Sequence, residues 1–146
     1  MRERIVRFWH EQGAIVDPAE AWRRSFEVGC IVFDRHGEIA GVTSIYMDKL
    51  AASGPGFWMF RMFIRPDSRY LGLGCLMLNT TASRLQAQFG HEQGSPAGVC
   101  AVIENPKLLT RGGMRVMQRL GLRHIGQDHL NRAVWLRQFT VNPPTD

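Results

Sequence analysis

The fold turns on Phe57-Trp58-Met59-Phe60-Arg61-Met62-Phe63-Ile64 and the segment that follows it, Arg65-Pro66-Asp67-Ser68-Arg69-Tyr70-Leu71-Gly72-Leu73-Gly74. The first run is aromatic-rich and almost continuously apolar, which predicts a central strand buried on both faces, and Pro66 ends it. From Cys75 onward the apolar residues Cys75, Leu78, Ala82, Leu85 and Phe89 alternate spacings of three and four, which predicts an amphipathic helix. Arg69 to Gly74 therefore lies where a strand ends and a helix begins. Unpaired backbone N–H groups and the positive end of the helix dipole converge at such a point and attract phosphate.

Gly72 and Gly74 let the backbone adopt unusual φ and approach an anion closely, while Arg65 and Arg69 add positive charge beside it. The chemistry favoured is capture of a pyrophosphate. The same glycines also suit a tight turn that only lets strand and helix pack, and spacing alone leaves both readings open. Two nucleotide-binding patterns are disfavoured. No Lys-Ser or Lys-Thr pair follows Gly74, as a P-loop requires, and no early βαβ unit carries a first-turn glycine fingerprint.

Working outward, Ile5, Phe8 and Trp9 share a helical face ahead of Gly13, predicting a helix over Arg2 to Gln12. Asp17-Pro18-Ala19-Glu20 reads as a capping box with proline at the first helical position, predicting a second helix from Pro18 to about Glu27. Cys30 to Phe33 and Ile39 to Tyr46 flank the turn residues Asp34-Arg35-His36-Gly37, predicting an antiparallel hairpin. Ala51 to Gly56 is a loop by composition. Beyond Phe89, Val99 to Ile103 reads as a buried strand, followed by a weaker helix that ends at Leu120 with Gly121 as its cap. Strands over Leu122 to Gly126 and Ala133 to Phe139 complete the order.

With 146 residues the chain suits one compact domain, expected over residues 1–140, with Pro143 and Pro144 marking a loose tail over 141–146. No apolar stretch reaches the roughly 20 residues of a membrane span, and Met1-Arg2-Glu3-Arg4 leads into no signal-peptide core, so the expected location is the cytoplasm. Cys30, Cys75 and Cys100 are widely spaced, which suits small apolar thiols rather than a disulfide framework or a metal site. The net charge of +5 comes from scattered Arg and Lys residues, so an anionic small ligand accounts for it and no nucleic-acid partner is expected.

The pattern Pro66, Arg69, Gly72 and Gly74 resembles the signature of the GNAT superfamily of N-acetyltransferases: a Gln or Arg, two residues, a Gly, one residue, then Gly or Ala, often with Pro three positions earlier. The order of elements from roughly Arg2 to Phe139 is similar too. The resemblance implies an α/β (α+β) fold with a mixed, mostly antiparallel central sheet flanked by about four helices. Family members usually begin with a strand before the first helix, whereas here the helix begins almost at Met1. The first edge strand is therefore expected to be missing, and an exposed edge of that kind predicts a homodimer.

The resemblance implies acetyl-CoA as cosubstrate, without a metal. The backbone amides of Tyr70, Leu71, Gly72, Leu73, Gly74 and Cys75 are then expected to hold the pyrophosphate with Arg69 beside them. Met62, Phe63 and Ile64 are expected to pair their backbone with the pantetheine arm, as a peptide adds to a strand edge. Asn105 falls where the family often has an Asn touching the cofactor; as Asn before Pro106 it equally suits a helix N-cap. The implied activity is acetyl transfer to the amine of a small-molecule or peptide acceptor by direct attack in a ternary complex. A non-catalytic module binding coenzyme A or a partner is the alternative.

Catalytic groups are harder to place. The central strand holds no Asp or Glu, and Met117 occupies the helix position where many members carry an acidic Tyr. Gly112-Gly113 predicts a loop or turn before that helix proper. Glu104, at the end of the Val99 to Ile103 strand, is the candidate general base, with a solvated strand-end carboxylate as its other reading. His124 suits a structural role as well as titration. Arg61, the one charge in an apolar strand, suits either an acidic group on the acceptor or a pairing with Glu27, Glu38 or Asp48. Trp9, Trp22, Trp58 and Phe60 fit either core or an acceptor pocket.

Overall fold

A computed structural model describes residues 1–90, 92–103 and 109–139. Two helices, α1 (Arg2–Glu11) and α2 (Pro18–Arg24), precede the strands β1 (Val28–Phe33), β2 (Ile39–Lys49) and β3 (Gly56–Ile64). Then follow α3 (Leu73–Phe89), β4 (Gly98–Ile103), α4 (Arg111–Arg119), β5 (Arg123–Gln127) and β6 (Ala133–Gln138). The strands form one six-stranded sheet in the order β1-β2-β3-β4-β6-β5. The β1–β2, β4–β6 and β5–β6 pairs are antiparallel and β3–β4 is parallel. β1, expected as a hairpin strand, is an edge of that sheet. Among the described residues no helix is long and apolar enough to cross a membrane.

By Cα proximity the chain divides into two compact units, one of residues 1–46 with 61–81 and one of 47–60 with 82 onward. In the first, α1 and α2 place Ile5, Phe8, Trp9 and Ala21 against Ile39 and Val42 in one buried cluster. Strand alternation sends Gly41 and Thr43 to the other face from Val42, and α3 packs there: Thr43 meets Thr81 through a buried 3.0 Å hydroxyl contact. The same alternation organises β3. Phe63 meets Phe8 of α1 edge-on at 5.8 Å, whereas Met62 and Ile64 lie against Gly74 at the start of α3. In the second unit Phe57, Cys100, Val134 and Leu136 form a separate cluster.

Local signals place most boundaries within a residue or two, and the exceptions have identifiable causes. The Asp17 side chain accepts from Ala19 N–H as an N-cap should, but Glu20 does not close the capping box. Its oxygens accept from Arg23 and Arg24 one turn on, where ionic partners outcompete a backbone amide. The second helix tightens into a 3-10 turn over Ser25–Glu27. Gly112-Gly113 does not precede α4 but lies in its first turn, because Thr110 caps the helix by accepting from Gly113 N–H. β3 is not buried on both faces: Phe57 and Phe60 are buried, and Met62 is 39% exposed.

Candidate functional site

After Ile64 the chain makes a 3-10 turn at Pro66–Ser68 and enters α3 at Leu73. Arg65 secures the turn, donating to Asp34, Asp67, Ser68 and the Ile39 carbonyl. Its charge is thereby spent on two carboxylates, so the positive potential expected from Arg65 beside the glycine loop is neutralised locally. Arg65 and the backbone N–H of Glu38 hold the Asp34 carboxyl down at about 2.

Arg69 differs. It donates from Nε to the Ile64 carbonyl at 2.8 Å, lies 5.8 Å from the Phe63 ring centre, and forms no ion pair among the described residues. Its guanidinium stays exposed at the mouth of the loop. The loop amides divide into two groups. Tyr70 N–H donates to Ser68 and Leu73 N–H to Tyr70, whereas those of Leu71, Gly72, Gly74 and Cys75 find no acceptor among the described residues. Leu76 N–H, donating to the Gly72 carbonyl, opens the helical ladder. Four free donors thus stand at the N-terminus of a 17-residue helix, with one uncompensated guanidinium nearby.

The two glycines have different reasons to be glycine. Gly72 has φ +90° and nothing within 4 Å of where a Cβ would stand, so the backbone shape requires it. At Gly74 a Cβ would lie 3.1 Å from Met62 Cε, so that glycine lets α3 approach β3. The pairing of β3 with β4 covers Trp58 to Phe60 and stops there. Met62, Phe63 and Ile64 therefore have no β4 partners among the described residues.

One residue before Met62, Arg61 donates from one terminal nitrogen to Glu27 at the end of the α2 segment. The guanidinium also stacks on the Tyr46 ring at 4.2 Å, a contact the sequence did not signal. Its Nε is buried and has no partner among the described residues. Burial, then the charge of Arg24, pushes the Arg61 guanidinium below its ordinary value, while Glu27 opposes the shift. Of the three pairings open to Arg61 in the sequence, Glu27 is the one formed.

The remaining candidates sort plainly. Trp9 and Phe60 are core, Trp58 packs on Phe89 at 5.4 Å, and Trp22 is 47% exposed beside Phe26. Met117 is buried in α4. His124 is exposed on β5, its ring tilted at 49° against Trp135 at 5.4 Å. Cys100 is fully buried, which pushes its thiol up to about 11, and Cys30 and Cys75 are half-buried. Glu104, Asn105 and the 141–146 tail lie outside the described residues.

This architecture is the GNAT fold: a mostly antiparallel six-stranded sheet, four helices, and a glycine loop between the third strand and the third helix. A Bordetella pertussis protein described as a GnaT-family acetyltransferase superposes with a TM-score of 0.64 at 16% identity, covering 92% of this chain and 86% of its own. A GNAT-family acetyltransferase of Bacillus anthracis gives 0.61 at 8% identity over 94% and 88%. A GNAT superfamily phosphinothricin acetyltransferase of Sinorhizobium meliloti, solved with AcCoA, gives 0.57 at 18% over 80% and 64%. At these identities the likeness is one of fold. No protein-family model and no curated protein matches the chain.

Proposed function

We propose that this protein is an N-acetyltransferase that uses acetyl-CoA. The observation that carries the reading is the set of free amides of Leu71, Gly72, Gly74 and Cys75 at the head of α3, joined by the uncompensated Arg69. These donors suit the pyrophosphate of coenzyme A. The backbone of Met62, Phe63 and Ile64, without β4 partners among the described residues, suits the amide-bearing arm, which then runs back along β3 from the loop. The fold shared with acetyltransferases, one of them solved with AcCoA, supports the same donor.

In this reading the acceptor amine attacks the thioester carbonyl carbon, the C–N bond forms, and the C–S bond breaks as coenzyme A leaves as thiolate. The chain's contribution is to hold donor and acceptor together in a partly dehydrated site. Glu104, which follows the last residue of β4 in the sequence, is assigned the proton released by the amine. Asn105 beside it is assigned a contact to the cofactor. The single-domain organisation, the cytoplasmic location and a homodimer through the β1 edge belong to the same proposal.

Acetyl-CoA present at about 100 times its Kd should stabilise the native chain by about 2.7 kcal/mol, a rise in Tm of about 5–10 °C. Arg69→Gln should reduce the rise. Absence of any rise at saturating acetyl-CoA would overturn the donor assignment. With the donor established, release of free thiol in the presence of amines tests transfer, and an unchanged rate for Glu104→Gln would remove Glu104 as the base.

A further inference from the structure

The surroundings of Arg61 point to the acceptor. Three guanidiniums, Arg23, Arg24 and Arg61, share two carboxylates, Glu20 and Glu27. Arg23 is held by both carboxylates and Arg24 by Glu20. Arg61 donates a single hydrogen bond among the described residues, to Glu27, and its buried Nε is orphaned. The cluster therefore carries one positive charge in excess, and Arg61 is its member with a buried N–H left unpaired among the described residues.

The position matters as much as the charge. If the free amides of the loop hold the pyrophosphate, the arm extends from the C-terminal end of β3 towards Met62. Arg61 is the next residue along the strand, which in that reading puts it beyond the three residues assigned to the arm, on the side towards the thioester. Strand alternation puts its side chain on the face of Phe63, opposite that of Met62 and Ile64, which pack on α3. The side chain keeps 28% of its surface accessible, and the Tyr46 ring covers one face of the guanidinium at 4.2 Å.

We propose that Arg61 binds a carboxylate carried by the acceptor, so that the substrates are amines bearing an acid group, such as amino acids. The proposal rests on the acetyl-CoA reading above. A planar guanidinium with unused N–H groups matches a carboxylate in a two-point contact. The internal partner does not prevent this. Glu27 also accepts from Arg23 at 2.6 Å, so it remains paired when Arg61 turns part of its donor set to a ligand, and no buried charge is stranded. Arg61 in this role sets specificity and takes no part in proton transfer.

The experiment compares acetylation of glycine, L-glutamate, L-methionine and L-phenylalanine with that of their α-amides, by release of free thiol from acetyl-CoA. The expected result is at least one acid with kcat/KM about tenfold or more above its amide. Arg61→Gln should raise KM for that acid about ten- to hundredfold with kcat changed by less than about threefold, and bring acid and amide to parity. Arg61→Lys should restore part of the preference. The double variant Glu27→Gln/Arg61→Gln removes both charges of the pair and supplies a folded test should the single variant be unstable. A Tm rise with acetyl-CoA certifies each variant's fold and donor site. The inference is overturned if amides serve as well as acids, if no acid is acetylated by a chain that binds acetyl-CoA, or if Arg61→Gln leaves the preference intact. Failure of acetyl-CoA to raise Tm at all instead removes the donor reading on which it stands.

Discussion

Gly72→Ala tests the link between loop shape and ligand binding most directly. The added methyl meets nothing within 4 Å, so packing is not disturbed and the perturbation is confined to the backbone at φ +90°. Holding an L-residue in that left-handed region costs about 1–2 kcal/mol. Reduced freedom of the unfolded chain returns about 0.4–1 kcal/mol. The net loss is then about 1 kcal/mol, or about 2–4 °C in Tm for a chain of this size. The effect on binding is separate. Should the alanine loop relax in the free protein, a ligand must restore its shape, which weakens binding by up to the strain itself, about five- to thirtyfold in Kd.

Gly13→Ala provides the control. Gly13 ends α1 with φ +65° and likewise has nothing within 4 Å, so its backbone cost is comparable, while it lies outside the loop. Thermal melts of both variants, repeated across an acetyl-CoA titration, separate the two effects. Both should melt lower than the parent, and only Gly72→Ala should bind acetyl-CoA more weakly. An unchanged Kd for Gly72→Ala beside a lowered Tm would refute the reasoning that this backbone shape holds the ligand.

Two further outcomes concern stability alone. Thr43→Val or Thr81→Val should each cost about 1–3 kcal/mol in denaturant unfolding, because each strands the other's buried hydroxyl, whereas the double variant should lie within about 1 kcal/mol of the parent; additive losses would contradict a paired contact. Asp34 and Glu20 both titrate near 2 in the folded chain, below the ordinary 3.8 and 4.5, through their hydrogen bonds to Arg65 and to Arg23 and Arg24. The unfolded chain therefore takes up these protons first, so the stability they contribute is full above about pH 4.5 and is lost as pH falls towards 2. Asp34→Asn should flatten that part of a Tm-against-pH curve, and an unaltered slope would show that Asp34 is not among its causes.

Much of the fold was legible because its signals are local. Pro66 ends a strand wherever that strand packs, the three-four spacing from Cys75 to Phe89 makes a helix by itself, and Asp34 with Gly37 makes a turn. Where two local signals competed for one group, the sequence misled: Glu20 fits a capping box, yet Arg23 and Arg24 lie within reach on the same helix and hold it instead. Gly112-Gly113 looks like an interruption, yet Thr110 caps a helix that includes both.

Chain order alone puts strand end, Gly72 and helix start side by side, so the sequence suffices to place a glycine loop with helix-dipole and amide donors after the central strand. Which groups there remain available depends on the folded chain. Asp34, 31 residues away, neutralises Arg65, whereas Arg69 meets no carboxylate among the described residues. Met62 gives Gly74 a packing role, and Glu27, 34 residues away, shares Arg61 with the Tyr46 ring. The reason is physical: a charge or a glycine takes its role from what stands within a few ångströms of it, and here those neighbours come from distant parts of the chain.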